Sequence, residues 1–146
     1  MARYPAEPLP WVSKPYGPDE DAWEEAKREA RRTLYRWAAE GRYGSYTDLV
    51  YEVTAVDWPE GAFTHHGQQM GMLLGQVSME ELDRREERPL LSALVVGREE
   101  GMPSSGFWAM LRELGLEVPA TEMGRLEFWT KEFEKALRYY GSRQTS

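Results

Sequence analysis

The run Pro89-Leu90-Leu91-Ser92-Ala93-Leu94-Val95-Val96 decides how this chain is to be read. It is almost unbroken in apolar residues and is bounded by a proline and by Gly97. Such a run predicts a strand over residues 90–96, buried on both faces or covered by a helix on one. After it, residues 97–101 read as a glycine-bounded turn. Pro103-Ser104-Ser105-Gly106 then leads into a helix over residues 107–114, ended by Gly115. Before it, Ser78 with Glu81 is a capping-box pair, which predicts a new or bent helix from Met79 to about residue 87. Thr64 opens a helical stretch to Val77, and Pro59 and Gly61 mark a loop over residues 54–63. Thr47 is placed to cap a short helix through Val53, with Leu49, Val50 and Val53 inward.

The chain ends carry the clearest periodicity. Trp23, Ala26, Ala30, Leu34 and Trp37 recur at helical spacing, behind the acids Asp19, Glu20 and Asp21 and ahead of Gly41. Leu126, Trp129, Phe133, Leu137 and Tyr140 repeat that spacing between Thr121 and Gly141. Residues 1–18 hold five prolines with Tyr4, Trp11 and Tyr16 among them, which predicts an extended arm lying on the body with Trp11 as its anchor. The chain thus divides into a proline-rich arm (1–18), a single globular domain (19–141) and a flexible tail (142–146). The class is α+β and mostly helical, with a short sheet flanked by two long amphipathic helices.

Composition narrows the function. The 146 residues are 41% hydrophobic and 29% charged, as in a globular domain. No cysteine is present, which removes disulfides, thiolate ligands and thiolate nucleophiles. No apolar run approaches a membrane span and no secretory leader is evident, so a cytoplasmic protein is expected. The net charge of −7 is concentrated: between Tyr43 and Asp83 there are seven acids and no lysine or arginine. That stretch reads as a solvated surface or as an acidic face for a basic partner, and it offers nothing to a phosphate backbone.

The order helix, short strand, helix, helix, strand and glycine turn is that of a winged helix-turn-helix. Tyr46-Thr47-Asp48-Leu49-Val50 resembles the tyrosine-led second helix of alkylguanine-DNA alkyltransferases and their inactive alkyltransferase-like relatives. Gln68-Gln69-Met70-Gly71-Met72-Leu73-Leu74 is similar to their glycine-containing recognition helix, and Pro89 to Val96 with residues 98–106 to their strand and wing. The resemblance spans residues 43–108 and implies a winged-helix core. It does not carry the chemistry over. Where the family has Pro-Cys-His-Arg this chain has Pro89-Leu90-Leu91-Ser92, and Gln68 stands where the family brings an arginine to the duplex.

No catalytic, metal or cofactor site emerges. His65 and His66 are neighbours about 100° apart on a helix and cannot share a metal. Ser104-Ser105 has no assignable base, and the turn at 97–101 is no phosphate loop. Gly67, Gly71 and Gly75 share one helical line, either for tight internal packing or for close approach of a partner helix. Gln68, Gln69, Met72 and Gln76 on the same helix are the expected partner-binding residues, with the arginines of the first helix as a second face. The leading expectation is a non-enzymatic accessory or regulatory domain that binds a partner protein or itself. One alternative is a DNA-binding regulator that takes phosphate contacts from Arg84, Arg85 and Arg88. The other is an acidic inhibitor of a nucleic-acid-binding protein.

Overall fold

The computed structural model describes residues 19–58, 67–82, 88–97 and 101–142, the side chains of residues 67 and 68 excepted. The proline-rich arm, the tail beyond Ser142, His65, His66, Arg84 and Arg85 lie outside the described residues.

Helix α1 (Glu20–Ala39) starts on Asp19, whose carboxylate accepts from the Ala22 amide at 2.9 Å. The expected stripe of Trp23, Ala26, Ala30, Leu34 and Trp37 is buried throughout. Gly41 follows the helix at φ 73°, a left-handed backbone that glycine adopts without strain. Ion pairing along α1 includes two pairs at three-residue spacing, Glu24 with Lys27 and Glu25 with Arg28.

Strand β1 (Gly44–Ser45) leads directly into α2 (Tyr46–Glu52). The cap is Ser45, not Thr47: its hydroxyl accepts from the Asp48 amide while the Asp48 carboxylate accepts from the Ser45 amide. Helix α3 (Gly67–Glu81) runs through Ser78 without a break, so no new helix begins there. The Ser78 hydroxyl is engaged elsewhere, accepting from the Ser92 amide at 2.9 Å, and that contact replaces a cap.

The apolar run at 90–96 departs furthest from expectation. Residues Leu91–Leu94 form a 3₁₀ turn, and only Val95–Val96 is strand, β2. The turn is fully buried, and side chains satisfy its backbone instead of a neighbouring strand. The Leu90 amide donates to Glu132, the Ser92 amide to Ser78, and the Trp129 indole donates to the Ala93 carbonyl. The run therefore signalled burial, which a helical turn answers as well as a strand does. Strand β2 pairs with β1 in parallel, Gly44 opposite Val95 and Ser45 opposite Val96. Of the expected wing, the described residues show a turn closed by bonds from Gly97 to Met102 and from Gly101 to Gly97.

Helices α4 (Ser105–Glu113) and α5 (Glu122–Gly141) complete the chain. Gly115 ends α4 at φ 80°, and Thr121 caps α5 by accepting from the Gly124 amide. The inward face of α5 is Trp129, Glu132, Ala136 and Tyr140, while Leu126 is exposed, so the stripe is rotated from its expected position. Gly141 is no cap. It lets α5 pass the end of α1, where a Cβ would lie 3.0 Å from the Ala38 carbonyl oxygen. The two terminal helices pack on each other, with Tyr35 stacked on Tyr140 at 5.5 Å. The architecture is thus mostly helical, five described helices around one short parallel sheet. Its core has two adjoining clusters, one around Trp23, Trp37 and Leu73 and one around Leu90, Trp108 and Leu111, with Phe133 packed against both.

Candidate functional site

Two of the glutamines expected to face a partner belong to the interior. Gln76 is fully buried and its Oε1 accepts from the Trp23 indole at 2.8 Å. Gln69 is buried and donates to the Asp57 carbonyl at 3.2 Å. A buried polar group needs such a partner, and each amide serves the fold by providing one. The side chain of Gln68 lies outside the described residues. Met72 alone of the four is half-buried at a concave surface.

The cations are engaged as well. Arg28 and Arg32 face Glu25, Arg31 faces Glu80 and Glu81, and Arg36 faces Glu52. Lys27, almost fully buried, lies 2.6 Å from Glu80 and 2.7 Å from Glu24. Arg88 donates to the Glu81 carbonyl and covers the Tyr139 ring at 5.5 Å. Glu80 and Glu81 of the cation-free stretch thus compensate Lys27 and Arg31 across the α1–α3 contact, and Glu52 of α2 compensates Arg36.

This network sets an alkaline limit on stability. Burial opposes the charge on Lys27, yet hydrogen bonds to Glu24 and Glu80 outweigh it and hold the ammonium pKa above its ordinary value. Burial, with a hydrogen bond donated to Glu81, pushes the Tyr35 phenol up as well. For both groups the folded state keeps its proton after the unfolded chain has lost it. Stability is therefore complete below about pH 10 and falls as pH rises beyond. Urea midpoints are expected to be flat from pH 7 to 9 and to fall above about pH 10. The decline should be shallower in Tyr35→Phe.

The concave surface is a cleft of about 280 Å³ between α3 and α4. Helix α3 contributes Gly71, Met72 and Gly75, helix α4 contributes Gly106, Phe107 and Met110, and Tyr46 and Ser92 also line it. The glycine line has an outcome that neither sequence reading contained at Gly71. A Cβ there would meet no atom within 4 Å, so its missing side chain leaves room in the cleft instead of admitting another helix. The Tyr46 hydroxyl accepts from the Ser104 amide at 2.8 Å and fixes the start of α4 against α2. Ser92 is more than nine-tenths buried, and its hydroxyl has no hydrogen-bond partner. A buried hydroxyl in that condition costs about 1–3 kcal/mol.

The lining is mainly apolar, and its titratable side chains among the described residues are Tyr46 and Glu113. Among the described lining residues no base is hydrogen-bonded to the Ser92 hydroxyl. Among the described residues there is also no cluster of histidine and carboxylate side chains able to hold a metal ion. No helix of the described residues is long and apolar enough to cross a membrane. The contribution of α4 was missed in sequence because nothing in residues 105–113 tells which partner that helix packs beside. Comparison of the chain with protein-family models, curated proteins and solved structures finds no match.

Proposed function

We propose that this chain is a non-enzymatic accessory or regulatory domain of the cytoplasm, winged-helix-like in core, that binds a partner protein through the α3–α4 cleft. The observation that carries the reading is a mainly apolar concavity with a bare glycine, Gly71, on one wall. Apolar clefts with a few polar groups are where ligands and anchoring side chains seat. The engaged arginines of α1 support a protein partner over a nucleic acid, because phosphate contacts supply most of the hold on a duplex.

The test uses the cleft itself. Gly71→Leu fills it from a position where added atoms meet nothing nearby. Affinity capture with the full chain is expected to retain a partner that the Gly71→Leu chain binds at least tenfold more weakly. A labelled random-sequence duplex at about 50 mM salt is expected to show no anisotropy change at tens of micromolar protein. Duplex binding that weakens sharply at about 200 mM salt would replace this reading with a DNA-binding regulator.

A further inference from the structure

We infer that the partner of the α3–α4 cleft is a cationic protein segment, which seats an apolar side chain in the cleft and sets a lysine or arginine about three residues away against Glu113; this rests on reading the cleft as the binding site. Shape supplies the apolar half of that description. Both walls are built from small residues, Gly71 and Gly75 on α3 and Gly106 and Ala109 on α4, so the space lies between two helix backbones. An apolar cavity of about 150 Å³ accepts one benzene ring. At about 280 Å³ the cleft has room for an indole or for two aliphatic side chains.

Charge supplies the other half. Among the described residues, Glu113 is the only charged side chain that lines the cleft. Arg112, the one cation of α4, is not part of the lining. The walls from α2 and α3 belong to the cation-free stretch, and two more of its acids stand nearby. Asp48 is exposed on the first turn of α2, which Tyr46 opens. Asp57 is exposed too, and its carbonyl holds the Gln69 amide one turn before Met72. Neither pairs with a described cation, unlike Glu52, Glu80 and Glu81. The field around the cleft is therefore negative: it attracts lysine and arginine and repels acidic segments and phosphate.

Position fixes the spacing. Glu113 ends α4, where the helix dipole opposes a carboxylate. A cation set there meets both the carboxylate and the negative end of the helix. Glu113 lies two turns beyond Gly106, about 10 Å along the axis, so it marks one end of the cleft. An extended segment covers that span in about three residues, which is the separation of anchor and cation.

Selection from a displayed library of random short peptides tests this, with the full chain as bait and the Gly71→Leu chain as counter-bait. Leucine has the better helix propensity and meets no atom near the Cβ position, and unchanged circular dichroism confirms that the variant is folded. Peptides kept by the chain and not by the variant are expected to share an aromatic or leucine anchor with lysine or arginine about three residues away. Glu113→Gln should weaken a synthetic copy of such a peptide about threefold, the worth of one exposed ion pair, and Glu113→Lys about tenfold. The same affinity should fall as salt rises from about 50 to 300 mM. Selected peptides that are neutral or acidic, or cationic ones indifferent to both Glu113 substitutions, overturn the inference and leave the cleft as the binding site. A library from which nothing prefers the chain to Gly71→Leu removes the cleft reading and the inference together. A dimer that forms on concentration and is lost in Gly71→Leu also overturns the inference, naming a second copy as the occupant.

Discussion

Trp23→Ala is expected to lower the unfolding free energy by about 5 kcal/mol, enough to unfold a domain at the low end of ordinary stability. The indole is completely buried in the larger cluster, and truncating a core aromatic costs about 3–5 kcal/mol. Its N–H is the donor to Gln76 Oε1 at 2.8 Å, so the substitution also takes a hydrogen-bond donor from a buried amide. That adds about 1–3 kcal/mol. Three further variants separate the contributions. Trp23→Phe keeps most of the ring volume and loses the donor, for about 2 kcal/mol. Gln76→Leu and the double variant complete a cycle in which the coupling of indole and amide is expected at about 1 kcal/mol. Urea unfolding followed by circular dichroism reads all four. Additive effects would show that the indole–amide bond contributes nothing to stability.

Gly44→Ala is expected to cost about 3 kcal/mol, an unusual result for a single added methyl. A Cβ at this position would overlap the far edge of the Trp37 ring, at its Cη2, Cζ3 and Cζ2 atoms. The ring is 1% exposed and so has little room to retreat. Overpacking of this kind typically costs 1–3 kcal/mol. Gly44 is also half of the two-residue strand that pairs with Val95, so a shift to relieve the clash would disturb the sheet. The atoms in conflict are those phenylalanine lacks. Trp37→Phe is therefore expected to be less damaging in the Gly44→Ala background than alone, with a coupling of about 1–2 kcal/mol in a double-mutant cycle. Additive effects would show that the clash is relieved elsewhere.

The two long helices were legible because each pattern is local. A stripe such as Trp23 to Trp37 repeats with the pitch of the helix that buries it, and Thr121 caps α5 from three residues away. Gly41 and Gly115 mark helix ends at positive φ for an equally local reason. The misreadings fall where a residue's role depends on what lies opposite. Ser78 and Glu81 have the spacing of a capping box, but Ser78 meets Ser92 and Glu81 meets Arg31 and Tyr35. Gln69 and Gln76 looked like surface recognition residues because polarity in sequence does not tell a solvated amide from a buried, paired one. Residues 90–96 looked like a strand because unbroken hydrophobicity measures burial without specifying the backbone.

The candidate site divides along the same line. The glycine row on α3 was visible as an unusual choice, and hydrophobic periodicity alone placed α1 and α5 in a core. The cleft itself required four separate parts of the chain to meet: Gly71, Ser92, Tyr46 and Phe107 belong to different elements. Whether a missing side chain becomes a helix contact or an open wall is decided by what lies across from it. That is a matter of long-range packing, and the order of residues along one helix does not contain it.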